Sequence, residues 1–596
     1  MLAYGQVINY ETKIIIQNNG KKSTQRTILI QINSKDENWL SHIELLHNPS
    51  QDLSVNYANI QDLNGNIVRK IKKKDFITRN NLSYQSFYRD DLITEFDMYW
   101  NQYPYRIEYS YTVVEEEYLY VAWWTPLMFS NITTIKSSLE VMLPVDFDIN
   151  IHSSGNARFN ESVEDNRKVL IWQSNMVSKY QFEIFSPSTE KLIPIVKLVP
   201  ISFDYGVPGK ADSWSSFGLW LDKLNDGIDQ LTIKEQQAVE KLASGINNRT
   251  EIIKAIYYYL QDQTKYVNVT IDVGGLKSYP ATYVCENKYG DCKALTTYMK
   301  ALLKSVGIES YYAIIKAGEN DTEIDVNLPS QQFNHMILMV PSEQDTVWLE
   351  NTSNALPFNY LGTFTQSRYA LAINGEKSLL VKTPKLSIDD VLIERNYNFK
   401  VTSKQDVLVD LDLTLRGNSF ERFRHLILQK DEELQIREIN SQHGIKYFII
   451  DRWNILDYHR DSVFLHLNIT GTSSSILQKV GAFYVINPLN IKLPDFEKPN
   501  DRTLDVVINV PINRSDKSTY DLQSLNQKTF QIPDRIRIES QYGTYYADFW
   551  KNDNELIVEE KFTLYANTIS MDKYESFYEF IKSINTYKKT TTILVK

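Results

Sequence analysis

The spacing of apolar residues changes character twice along this chain, and that constrains its fold more than any other feature. Up to about residue 200 the patterns are strand-like. Thr12-Lys13-Ile14-Ile15-Ile16 and Thr27-Ile28-Leu29-Ile30-Gln31-Ile32 are rich in β-branched residues, which suit a pleated, half-buried surface. Ser137, Leu139, Val141 and Leu143 alternate until Pro144, the period that turns one side of a strand toward a core. Asn64-Gly65 reads as a hairpin turn. From about residue 212 the period becomes helical. Ile252, Ile256 and Leu260 recur at i, i+4 and i+8, and Leu295, Met299, Leu302, Leu303 and Val306 form the stripe of a second helix beginning at Cys292. Strand-like runs follow at Tyr311–Ile315, His335–Val340 and Val347–Leu349. After about 388 the chain reads as β again, interrupted by one helix expected over roughly Phe420 to Ser441. No internal repeat is legible.

These changes predict a multidomain protein. An α+β core over residues 201–387 lies between two mainly-β, sandwich-like domains, residues 1–200 and 388–596. A hydrophobic share of 42% in 596 residues can fill several cores. The net charge of −10 is spread along the sequence and argues against nucleic acid as a partner. No apolar run reaches the length of a membrane span, and Met1-Leu2-Ala3-Tyr4-Gly5 leads into polar, strand-like sequence with no signal peptide legible.

Chemistry is visible in one place. Tyr289-Gly290-Asp291-Cys292-Lys293 puts one of only two cysteines at a helix start, with Asp291 as its cap and Gly307 as its stop. Unpaired N–H groups and the helix dipole favour a thiolate there, and the Cys292 N–H can face a developing oxyanion. His335 opens an apolar strand, and Glu350 ends the next one, Trp348-Leu349. A turn at Gln344-Asp345-Thr346 would bring Glu350 back toward His335. That order can supply a nucleophile, its base and an orienting carboxylate. The alternatives are a small core thiol, a histidine satisfied by backbone and a solvated strand-end charge. Asp345 and Asn351 are other candidate orienters.

Other features read as structure. Cys285 is a buried thiol or, in an oxidising compartment, a partner for Cys292. No His-Glu-x-x-His or paired CxxC occurs, so neither a metal nor a cofactor is called for. Gly274-Gly275 reads as a turn and the basic run 69–74 as a solvated face. Trp123-Trp124 reads as a domain anchor, with a glycan or peptide groove as the alternative.

Residues 249–353 resemble the transglutaminase-like superfamily, which shares the papain-like cysteine-enzyme core. The resemblance runs through Ile256-Tyr257, Tyr266-Val267, Gly275, Pro280, Val284 and Tyr289–Lys293. It continues through Leu302-Leu303, Gly307-Ile308, Phe333-Asn334-His335 and Trp348–Thr352. The flanks resemble a bacterial architecture with an N-terminal β-domain of unknown function and a C-terminal β-domain. Such proteins usually carry a signal peptide, which implies an exported, periplasmic or envelope location. The resemblance implies Cys292 as nucleophile, His335 as base and Glu350 as the acid, where the family more often has Asp. It implies an amide hydrolase or acyltransferase working through a thioester on a peptide or protein. The alternative is a catalytically silent envelope protein that binds a glycan or protein.

Overall fold

The computed structural model describes residues 5–596 apart from 82–87, 90, 181, 271–274, 319–322, 343–344, 403–405, 526–528 and 553–554. The first four residues, Gly274 of the expected turn and Gln344 of the expected strand connection lie outside the described residues.

The N-terminal region is built on an eight-stranded sheet. Its strands are β1 (Gln6–Ile16), β2 (Lys22–Ile32), β3 (Asp52–Gln61), β4 (Ile67–Lys70), β5 (Tyr105–Glu115), β6 (Thr134–Pro144), β7 (Arg158–Glu164) and β8 (Arg167–Val177). Their order is β7-β8-β6-β1-β2-β5-β3-β4, with β1 and β6 parallel and the other pairs antiparallel. Two three-stranded sheets cover one face. Leu139, Val141 and Leu143 pack with Val196 and Leu198 of one, and Ile28, Ile30 and Ile32 pack with Ile43 and Phe96 of the other. The predicted alternation of β6 is what fills that sandwich. Asn64-Gly65 turns between β3 and β4, with the Gly65 N–H on Asp62 O and φ at +87°. Arg69 and Lys70 are exposed, as a solvated face requires. Trp124 is buried between sheets, whereas Trp123 is exposed beneath the Lys197 ammonium. The neighbouring Tyr120 hydroxyl donates to Gln331 O (2.9 Å), tying this domain to the core.

The core begins with helices α1 (Trp214–Leu224), α2 (Ile233–Ala243), α3 (Arg249–Gln263), α4 (Ala281–Asn287) and α5 (Cys292–Ser305). Its antiparallel sheet comprises β9 (Tyr311–Ile315), β10 (His335–Val340), β11 (Val347–Leu349), β12 (Tyr369–Ile373) and β13 (Leu379–Lys382), ordered β11-β10-β9-β12-β13. Helix α5 is the hub. Leu295, Tyr298, Met299, Leu302 and Leu303 are fully buried against α3, α4 and one sheet face; each large apolar side chain so buried contributes about 1.5–3 kcal/mol.

The C-terminal region contains β14 (Leu392–Val401), β15 (Val407–Leu415), helices α6 (Gly417–Gln429) and α7 (Glu432–Gln442), and β16 (Phe448–Leu456), β17 (Leu465–Ser473), β18 (Ile512–Asp521), β19 (Ile536–Ser540), β20 (Gly543–Asn552) and β21 (Glu555–Leu564), then α8 (Met571–Thr590). The single helix expected over Phe420–Ser441 is two. Lys430 is left-handed (φ +56°), and Asp431 caps a new helix by accepting from the Leu434 N–H. The twenty-residue α8 lies where only strands were expected. Tyr574, Phe577, Ile581 and Ile584 give it a helical apolar face, built partly from residues that favour strands.

The two flanking sheets repeat one topology. The C-terminal order is β16-β17-β15-β14-β18-β21-β20-β19, again with a single parallel pair, β14 with β18. Strands β1, β2, β3, β5, β6, β7 and β8 correspond in chain order, position and direction to β14, β15, β16, β17, β18, β20 and β21. The repeat is one of connectivity without a repeated sequence.

Candidate active site

The site forms where α5 starts and β10 and β11 meet. Residues Tyr289-Gly290 pair in parallel with Lys265-Tyr266, fixed by the Lys265 N–H on Lys288 O and the Val267 N–H on Gly290 O. This pairing delivers the chain to the helix start. A Cβ on Gly290 would stand 2.8 Å from the Ala294 Cβ, so only glycine allows so close an approach. Buried Asp291 caps α5 by accepting from the Ala294 N–H (2.8 Å) and pairs with Lys293. Cys292 is therefore the first residue of the helix, partly exposed in a cleft.

Asn334 fixes the approach to β10, donating to Ala317 O (2.9 Å) and accepting from the Ala317 N–H (2.6 Å). In the β10–β11 register Leu338 faces Leu349, so Glu350 falls opposite Ile337, two residues from His335 and on the same sheet face. His335 Nε2 lies 2.9 Å from Glu350 Oε2. The other Glu350 oxygen accepts from the Thr352 N–H (3.1 Å) and hydroxyl (2.6 Å), and the Tyr257 hydroxyl holds the Glu350 carbonyl. The Cys292 side chain lies beside the same imidazole on the cleft wall and interacts with it electrostatically. With Nε2 on Glu350, Nδ1 is the nitrogen left to face it.

The charges follow from this placement. Burial works against a charged His335, but the Glu350 carboxylate with its hydrogen bond and the neighbouring Cys292 outweigh that and raise the imidazole to about 10. Burial likewise opposes ionised Glu350, yet His335 and Thr352 bring it below the usual carboxylate value. Tyr266 lies in the field of Cys292, Asp291 and Glu350; burial first, then those charges, raises its hydroxyl.

The cleft measures about 320 Å³ and is walled by Tyr266, Asn268, Leu276, Cys292, Phe333 and His335, among others. Among the described lining residues, Asp291 and Lys293 pair with each other, and His335 carries the remaining titratable charge beside Cys292. A cavity of about 230 Å³ beside Arg416 and Arg514 is lined by neither Cys292 nor His335.

Cys292, His335 and Glu350, separated by up to 58 positions, thus come together. The other candidates do not. Asn351 turns to the helix side and donates to Thr296, whose hydroxyl donates to Met336 O. Asp345 binds the Thr346 N–H at the far end of the hairpin. Both cysteines are free, with Cys285 buried in the helical core. Sequence reasoning gave no role to Thr352, although a hydroxyl two residues after a carboxylate is a local hydrogen-bonding signal. It also passed over Phe364, which no spacing ties to the motif. Among the described residues, His42, Glu44 and Glu95 bring three ligand-type atoms within 4.8 Å. Arg79 bonds both carboxylates, so this group reads as an ion-pair cluster rather than a metal site. No described helix is long and apolar enough to cross a membrane.

Comparison with known proteins agrees with this architecture. Residues 236–352 match the transglutaminase-like superfamily, residues 18–180 the domain of unknown function DUF3857, and residues 482–594 the domain of unknown function DUF3858. The chain carries a transglutaminase-like core between a DUF3857 and a DUF3858 domain. No curated protein matches its sequence. Among solved structures, a "putative protease" from Parabacteroides distasonis is similar over 100% of both chains, with a TM-score of 0.64 at 11% identity. A "putative cysteine protease" from Cytophaga hutchinsonii matches 42% of this chain and 83% of its own at 9% identity, and Legionella pneumophila aminopeptidase A matches 32% and 21% at 10% identity. Their TM-scores, 0.19 and 0.20, carry no argument about the fold.

Proposed function

We propose that this protein is a thiol-dependent amide hydrolase of the peptidase type. The carrying observation is the buried imidazole bonded to the Glu350 carboxylate, with the Cys292 thiol beside it at the wall of a cleft. Cys292 Sγ attacks the amide carbonyl, its proton held by His335. The Cys292 N–H, first of the helix, faces the developing oxyanion. The C–N bond breaks as His335 gives its proton to the leaving amine, and a thioester remains. Water then adds with His335 as base, the C–S bond breaks, and a carboxylic acid and the thiol are released. Glu350 holds the ring and stabilises its cation throughout. An amine in place of water would make the same site a transamidase. Apart from the reacting Cys292 and His335, the described charges on the wall are paired with each other, which suits an uncharged stretch of peptide.

The test compares wild type with Cys292→Ala on a peptide and glutamine-donor library. Turnover lost in Cys292→Ala supports the assignment. Turnover equal in both would end it. Rapid alkylation of Cys292 by iodoacetamide at pH 6, lost in His335→Ala, separates the enzyme from a silent binding protein, whose Cys292 would react like a free thiol.

A further inference from the structure

Phe364 touches the ring that carries the chemistry. It stands edge-on to His335, centroids 5.6 Å apart at 71°, while 47% of it remains exposed. It belongs to a short turn, Gly362–Thr365, gripped from two sides. On the core side the Gly318 N–H donates to Phe364 O (3.1 Å). Buried Arg368 donates to Lys316 O (2.8 Å), Gly318 O (3.0 Å), Gln366 O (3.1 Å) and Thr363 O (3.4 Å). On the other side stands Glu421, from α6 of the C-terminal domain. It accepts from the Tyr360 hydroxyl (2.8 Å), the Thr363 N–H (2.9 Å) and the Thr363 hydroxyl (2.7 Å). Gly362 makes that approach possible. Its φ is +69°, and a Cβ there would lie 2.9 Å from the Glu421 carboxyl carbon. The Tyr360 ring is buried in the C-terminal core, edge-on to Phe420.

We propose that Glu421 is a positioning residue for the thiol site: through it the C-terminal domain holds the Tyr360–Thr365 segment so that Phe364 shields one side of His335 from water. The proposal rests on the reading that Cys292 and His335 act as a pair. Among the described residues, the ionisable groups facing the imidazole are Cys292 from α5 and Glu350 from the end of β11, with Tyr266 beside both. Excluding water strengthens their mutual attraction, because screening in a wet site is far greater. With Phe364 removed, water reaches the ring: the burial penalty on the imidazolium falls, but the attraction from Glu350 and Cys292 that outweighs it is screened, and the thiolate loses part of the field of its counter-ion.

The experiment is the pH profile of Cys292 carboxymethylation by iodoacetamide, read as labelled peptide so that Cys285 does not contribute. It uses the full chain in wild type, His335→Ala, Phe364→Ala, Phe364→Trp and Glu421→Gln. Phe364 is half exposed, so Phe364→Ala removes the contact without opening a core cavity. Phe364→Ala and Glu421→Gln should each move the low-pH limb upward by about half to one pH unit, a loss of roughly three- to tenfold in rate at pH 6. Phe364→Trp should restore most of it, which a merely structural role would not do. An unchanged limb in both variants, beside a wild-type profile that depends on His335, overturns the proposal. A limb moved by Phe364→Ala alone removes the role of Glu421. A wild-type profile that His335→Ala leaves unaltered removes the thiol pair itself, and the proposal with it.

Discussion

His335 Nε2 and Glu350 Oε2 are 2.9 Å apart, and both side chains are almost wholly buried. Glu350 offers oxygens only and Thr352 occupies the second, so the ring must donate from Nε2. Replacing Glu350 with Gln lets the amide donate toward the ring, which favours the wrong tautomer. Glu350→Gln should therefore lower turnover by about 10²-fold or more while leaving substrate affinity near wild type. Glu350→Asp, one methylene shorter, cannot reach both His335 and Thr352 from the same backbone and should fall between the two. Steady-state kinetics on one peptide would order the three.

The same pair gives stability a pH signature. His335 is raised from an ordinary value of 6.5 to about 10, so its contribution is complete below 6.5 and is lost as pH climbs toward 10. Glu350 is lowered from 4.5, so its contribution is complete above 4.5 and is lost as pH falls through its folded value. Thermal unfolding of wild type minus His335→Ala should show the difference shrinking across pH 6.5–10. A difference constant over that window would contradict the ion pair.

The sequence carried this site better than the domains around it. Cys292, His335 and Glu350 sit at element boundaries, where caps and period changes are local signals: Asp291 caps, Gly307 stops, and alternation fixes which strand residues share a face. Neither the split at Lys430 nor α8 could be read with equal ease. In α8 aromatic residues supply the helical stripe, and a Tyr/Phe-rich run favours strands on propensity until tertiary packing overrides it. The shared topology of the two large sheets was invisible because connectivity can repeat while the side chains that fill the cores diverge. The Phe364–His335 contact depends on Glu421, 57 positions further along, and long-range contacts of that kind have no period.

Asp291 links helix stability to reactivity. Its side chain satisfies the Ala294 N–H, and its second oxygen pairs with Lys293. Asp291→Ala should cost about 0.5–2 kcal/mol from the lost cap and should loosen the first turn that presents Cys292. Asp291→Asn retains an acceptor for the Ala294 N–H but forfeits the Lys293 pair, so it should recover most of the stability. Denaturant midpoints beside the rate of Cys292 labelling would separate cap from charge.

Arg368 tests whether the wall around the site is held by the core itself. Its guanidinium is buried, donates to four carbonyls, and is lowered to about 10 by burial. Such a group stabilises the fold only through those carbonyls, which belong to the end of β9 and to the Phe364 turn. Arg368→Met removes the costly charge but takes the donor from two buried and two partly buried carbonyls, at about 1–3 kcal/mol for each buried one left unpaired. Lys cannot spread donors over the same arc, because the fork is what fits four oxygens at once, so Arg368→Lys should recover little. The loss should be local before it is global. Hydrogen exchange at residues 316–318 and 361–366 should quicken in both variants, while α5, packed on its own core, keeps its protection. Uniform quickening across α5 and the sheet would mean that Arg368 supports the whole core, and exchange unchanged at 361–366 would mean that Glu421 alone holds the turn.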